Sequence, residues 1–392
     1  MASPLPAWAA TPFSWVLSVV GTMALASRAC FLVARIRLHL AGAAAAVQCR
    51  YGDADQDEEE LYRGSVQGCP AYDKVPLPRT GGTVHVPRER ADSGLAILYL
   101  PGKGRVFNLF PLQKQMTEQG VKIDVVGVDY CAYGAGYERN VRERWAPRLL
   151  YEMRLHEMSD ALVEALEVTS GIYRKVLVVA NSTAGVSVLN LLSSRVAKTI
   201  PAMVHGFWVT NPVVAFKEGH FVNAIVDASV PTWLWTFFDH VIGLGPLQLK
   251  SDADNEWFYS SETDQGKRFK ECFAMPGHTS GVMVGVPRHQ HTANPMRFLH
   301  VAEIVQVTRA WAQGRYKRQE STPPVWFSLN YKADEWHCGA SKTRQLLSAW
   351  GAVEAGSIET HEEWSFETAA QWEIALSVLK GLVSKTLSVE WT

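Results

Sequence analysis

Short runs rich in Val, Ile and Leu recur between positions 83 and 360 and alternate with longer stretches of helical periodicity. No other feature constrains the fold as much. The strand-like runs cover 83–86, 96–100, 125–129, 176–180, 204–210, 325–330 and 357–360. Helical patterns cover 107–119, 149–170, 184–197, 341–350 and 367–384. Near-continuous apolar strands are buried on both faces. The pattern therefore implies an α/β protein with a mainly parallel sheet covered by helices on both sides. In such sheets ligands bind beyond the carboxyl ends of the strands.

The run Val176-Leu177-Val178-Val179-Ala180 leads directly into Asn181-Ser182-Thr183-Ala184-Gly185, and Val186, Val188, Leu189, Leu191 and Leu192 then give a helical apolar stripe. A serine between a buried strand and an apolar helix has the layout of a nucleophile elbow, a sharp turn that lifts the hydroxyl to the carboxyl edge of the sheet. Residues two before and two after the serine must be small because the two backbones pass close. Here they are Ala180 and Ala184, where the strict pattern has glycine at both.

A serine hydroxyl is a poor nucleophile unless a base takes its proton, and the base needs an acid to hold its ring. In a sheet of this kind the expected chain order is Ser, then Asp or Glu, then His. The strand 325–330 is followed by Tyr331-Lys332-Ala333-Asp334, and the last strand by His361-Glu362-Glu363-Trp364-Ser365. Asp334 and His361 thus complete a triad with Ser182; Glu335 and His337 are the alternative acid and base. A loop Asp is usually solvated and a lone His usually has no chemical role, so the joint order along the strand ends carries the reading. An oxyanion hole needs two backbone N–H groups. Thr183 supplies one, and the loop Pro101-Gly102-Lys103-Gly104 the other, with Lys103 N–H as donor and Gly102 letting the backbone approach a substrate carbonyl. The Walker ending of a phosphate loop is absent there.

Three segments together resemble the α/β-hydrolase superfamily: Leu98-Tyr99-Leu100-Pro101-Gly102-Lys103-Gly104, Val126-Gly127-Val128-Asp129-Tyr130-Cys131-Ala132-Tyr133-Gly134-Ala135-Gly136, and Asn181-Ser182-Thr183-Ala184-Gly185. Within it the chain is most similar to the serine aminopeptidase S33 and monoacylglycerol lipase (lysophospholipase)-like group, over residues 80–386. That resemblance implies an α/β-hydrolase fold with a helical cap or lid. It also implies acyl transfer through Ser182, Asp334 and His361. Pro101 and Asn181 stand where the group has His, and Ala135-Gly136 where it has Arg-Ser.

The segment 211–323 is too long for a structureless connection and is expected to form the lid, between core segments 75–210 and 324–392. It is apolar over 221–247, with Pro231 marking a helix start, and a further helical pattern covers 296–313. Trp233, Trp235, Phe237 and Phe238 fit a greasy acyl group, although aromatics of this kind also serve simply as core. The expected substrate is a small-molecule or lipid ester such as a monoacylglycerol or lysophospholipid. Rival readings are an aminopeptidase-like amidase, an acyltransferase, and a non-catalytic scaffold of the same fold. No metal or organic cofactor is implied.

A formal net charge of -1 over 392 residues, with 47% hydrophobic and 20% charged, gives no support to a nucleic-acid partner. The scattered cysteines form no C-x-x-C pair and fit a reducing compartment. Residues 51–74 read as an acidic linker through Asp53-Ala54-Asp55-Gln56-Asp57-Glu58-Glu59-Glu60. Residues 1–50 read as an apolar anchor or targeting segment. The stretch 13–34 is nearly all apolar and broken by Arg28, with Arg35, Arg37 and Arg50 following. It fits a membrane anchor with the catalytic domain on the cytoplasmic side, an organelle transit peptide, or a secretory signal cleaved near Ala24-Leu25-Ala26. The arginines at 139, 142, 144 and 148 fit a solvated face.

Overall fold

The computed structural model describes residues 71–102, 107, 109–131, 135–136, 154–193, 200–216, 218–219, 223, 298–330, 339–358, 369–389 and 391. The N-terminal stretch 13–34 and the aromatic part of the expected lid lie outside these residues. Among the described residues no helix is long and apolar enough to cross a membrane.

The strands are β1 (Tyr72–Pro76), β2 (Thr83–Pro87), β3 (Leu95–Leu100), β4 (Asp124–Asp129), β5 (Lys175–Asn181), β6 (Val204–Thr210), β7 (Val325–Asn330) and β8 (Val353–Ile358). The helices are α1 (Phe110–Glu118), α2 (Leu155–Thr169), α3 (Ser182–Leu192), α4 (Phe298–Ala312), α5 (Ala340–Trp350) and α6 (Ala369–Leu387). All eight strands join one sheet in the order β1-β2-β4-β3-β5-β6-β7-β8. The β1–β2 and β2–β4 pairs are antiparallel, and every pair from β4 through β3 to β8 is parallel. The carboxyl ends of β3 to β8 therefore share one edge.

The period-two alternation of strand side chains sorts β3 between two cores. Ala96, Leu98 and Leu100 join Val178, Ala180 and Val209 on one face, where the buried stripes of α2 and α3 pack with Val305 and Trp311 of α4 and Leu347 of α5. Leu95, Ile97 and Tyr99 join Leu177, Val179 and Trp208 on the other, under α1 residues Leu112 and Met116 and α6 residues Leu376, Leu379 and Val383. The helix expected at 296–313 forms as α4, and its second half lies in the core of the sheet.

β1 is absent from the sequence reading, and β8 begins ahead of the expected 357–360. Both are edge strands with weak apolar patterns: Asp73, Lys74 and Pro76 in β1, Glu354 and Gly356 in β8. The turn joining β1 to β2 is fixed by α2. Glu164 accepts the N–H groups of Arg79 and Thr80, at 2.7 and 2.9 Å, and the Thr80 hydroxyl at 2.6 Å. Burial pushes its carboxyl up, but these hydrogen bonds and the Arg79 charge outweigh that and hold it below the ordinary value of 4.5. Because the folded value lies below the unfolded one, this stabilisation is fully present above about pH 4.5 and is lost as pH falls through the lowered value. Glu164→Gln is expected to cost about 1–2 kcal/mol at neutral pH and to flatten the acid limb of urea-unfolding stability.

Candidate functional site

Ser182 is the first residue of α3 and follows Asn181, the last of β5, with no connecting loop. Asn181 is still extended, at φ -102° and ψ 143°, whereas Ser182 has φ +51°. A non-glycine residue at positive φ costs about 1–2 kcal/mol, so the surrounding packing must impose it. Ala180 and Ala184 are 0% and 1% exposed, small enough for the strand and helix backbones to converge. The alanines in place of glycines thus permit the strained turn. Ser182 and Thr183 remain half-buried at the carboxyl edge of the sheet, in the first turn of α3, where the helix dipole is positive.

Leu100 pairs with Ala180 across β3 and β5, which carries the chain after β3 past Ser182. A Cβ built on Gly102 would lie 3.1 Å from Ser182 Cβ and 3.1 Å from Asn181 Oδ1. Glycine is therefore the residue that lets this loop touch the elbow. On the far side of the elbow Asn181 Nδ2 donates to Thr210 Oγ1 at 2.9 Å, tying β5 to the end of β6.

Both ends of the 101–107 stretch are held by the end of β4. The Tyr130 hydroxyl donates to the Pro101 carbonyl at 3.1 Å, and the Phe107 N–H donates to Asp129 Oδ1 at 2.7 Å. Asp129 Oδ2 accepts the Ala135 N–H at 2.9 Å and stands 2.8 Å from His85 Nε2 on β2. The pair is wholly enclosed, with His85 1% and Asp129 0% exposed. Asp129 stood within a motif of the sequence, but nothing there assigned it this role. His85 carried no signal, since its partner is 44 residues away.

Among the expected site residues, the structure brings together Ser182, Thr183 and Gly102. Asp334, His361 and Lys103 lie outside the described residues, as do Trp233, Trp235, Phe237 and Phe238. The strands that precede the expected acid and base in the sequence, β7 and β8, end at Asn330 and Ile358 on the same edge as Ser182. No cluster of His, Cys, Asp and Glu placed to hold a metal occurs among the described residues.

No family model matches the chain, and no curated protein matches its sequence. Among solved structures it is similar to a peroxisomal α/β-hydrolase of Saccharomyces cerevisiae, with 11% identity and a TM-score of 0.50 over 83% of this chain and 92% of that one. The chain has the α/β-hydrolase fold. It is also similar to a soluble variant of monoglyceride lipase from Saccharomyces cerevisiae, solved with a substrate analogue. That pair shares 11% identity over 83% and 99% of the two chains, with a TM-score of 0.48. For the monoacylglycerol lipase of Paleococcus ferrophilus the values are 16%, 74% and 94%, with a TM-score of 0.41. At such identities the likeness concerns the fold. Within an α/β-hydrolase fold, Ser182 stands at the β5–α3 junction, on the edge where ligands bind.

Proposed function

We propose that the chain is a serine hydrolase that cleaves a carboxylic ester with an apolar acyl chain. The observation that carries this reading is the positive φ of Ser182 at a strand-to-helix junction beside Gly102. Strain of this kind persists only where surrounding structure over-determines it, and it clusters at functional sites.

In the proposed mechanism the Ser182 hydroxyl attacks the ester carbonyl as His361 takes its proton. Asp334 holds the imidazole and stabilises its charged form. The N–H groups of Thr183 and Lys103 meet the developing alkoxide. Collapse expels the alcohol with the proton returned by His361, and water resolves the acyl-enzyme by the same steps. The aromatics Trp233, Trp235, Phe237 and Phe238 in segment 211–323 would receive the acyl chain. They motivate the monoacylglycerol or lysophospholipid class.

The test is a fluorophosphonate probe followed by a series of p-nitrophenyl esters of increasing acyl length. Labelling of the wild type is expected. His361→Ala and Asp334→Asn are each expected to lower kcat at least about 10^4-fold while leaving the unfolding midpoint close to wild type. A well-folded wild type that does not react sinks the hydrolase reading and favours a non-catalytic scaffold. Faster turnover of aminoacyl amides than of long-chain esters would replace the lipase-like assignment with an amidase.

A further inference from the structure

We propose that His85 is a positioning residue for the reaction at Ser182: through Asp129 it holds the chain that carries Gly102 against the nucleophile. The inference rests on the hydrolase reading of Ser182. Asp129 is a fully buried carboxylate at the end of β4, and its oxygens meet two backbone N–H groups beyond the strands and one side chain of the neighbouring strand β2. Oδ1 takes the Phe107 N–H, and Oδ2 takes the Ala135 N–H and faces His85 Nε2. The hydroxyl of the next residue, Tyr130, donates to the Pro101 carbonyl. Consecutive residues of one strand end therefore tether both limits of the 101–107 stretch.

A buried carboxylate needs charge-assisted partners, because leaving one unpaired is far costlier than leaving a neutral group unpaired. Two backbone N–H groups supply part of that, and His85 is the side chain that completes it. Packing alone does not require a histidine at this position. Its ring is enclosed and lies 5.3 Å from the Phe107 ring, a place an apolar ring would fill. What an apolar ring could not do is donate to Asp129. Without that donor the carboxylate is under-satisfied and its hold on Phe107 and Ala135 weakens. Gly102 then loses its fixed approach to Ser182. A misplacement of about 1 Å in such a site costs about 100-fold in rate.

The experiment compares full-length wild type with His85→Phe and His85→Gln, since Gln places an amide donor near the Nε2 position. The readouts are fluorophosphonate labelling rate, kcat and KM for p-nitrophenyl butyrate, and amide hydrogen exchange. His85→Phe is expected to lower kcat and labelling about 100-fold with KM within about threefold. His85→Gln should recover activity to within about tenfold of wild type. Exchange at Phe107 and Ala135 should accelerate at least about tenfold in His85→Phe, while Val178 in β5 keeps its protection. Wild-type kcat in a folded His85→Phe overturns the proposal, and so does an equal loss in both variants. If His85→Phe does not fold, His85→Asn, whose amide is one carbon shorter, replaces it with the same expected split from Gln. A wild type that neither reacts with the probe nor hydrolyses the ester overturns the hydrolase reading. Exchange then still decides the clamp, which falls if Phe107 and Ala135 keep wild-type rates.

Discussion

Replacing Ser182 with alanine is expected to abolish fluorophosphonate labelling and to lower ester turnover on the order of 10^5- to 10^6-fold, the scale seen when a triad nucleophile is removed. The same position makes a second, independent prediction about stability. Its φ of +51° is one that a residue with a Cβ adopts at a cost of about 1–2 kcal/mol. Alanine keeps that cost, whereas glycine does not. Ser182→Gly should therefore unfold at a higher urea concentration than Ser182→Ala, by about 1 kcal/mol of stability. Both variants should be inert. Equal stability of the two would mean that the backbone at the elbow is unstrained, removing the observation on which the nucleophile assignment stands. Retained labelling in Ser182→Ala would place the nucleophile elsewhere. The two readouts fail separately, which keeps the chemistry and the geometry distinguishable.

The sheet was legible because its central strands are buried on both faces. Runs such as 204–210 and 325–330 stand out as strand candidates, and the structure has strands over those same residues. Burial is what writes a strand into a sequence, so the edges were written faintly. Tyr72–Pro76 has no fully buried residue, and its Asp73 and Lys74 read as the tail of an acidic linker ending at 74. The elbow was legible because Ser182 and the small residues around it are contiguous. A constraint imposed on one turn appears as one short motif. The clamp beneath it was not legible: His85, Phe107, Asp129 and Ala135 meet only through the antiparallel pairing of β2 with β4 and the return of two loops. Each is ordinary in its own window. Only the register that sets His85 opposite Gly127 makes them one unit.

Gly127 is a position where that unit tolerates little, and Gly127→Ala is expected to be strongly damaging. A Cβ there would lie 1.8 Å from Phe107 Cδ2 and 2.1 Å from Phe107 Cγ, far inside the separation of about 3.5–4.0 Å at which carbons rest. The ring cannot swing aside cheaply. It is enclosed at 1% exposure, with the Tyr72 and His85 rings at 5.5 and 5.3 Å and its own N–H bound to Asp129. Moving Phe107 therefore disturbs its bond to Asp129 and the packing around it, so stability and activity should fall together. The expected loss is about 3 kcal/mol or more by urea unfolding, with kcat down about 100-fold. Gly381→Ala in α6 is the control, because nothing lies within 4 Å of its Cβ; it should stabilise by about 0.5–1 kcal/mol. Phe107→Leu in the Gly127→Ala background should recover part of the loss, with a coupling energy of at least about 1 kcal/mol in the double-mutant cycle. Additive losses would mean that the methyl clashes with something other than this ring. Gly127 would then be separated from the loop that approaches Ser182.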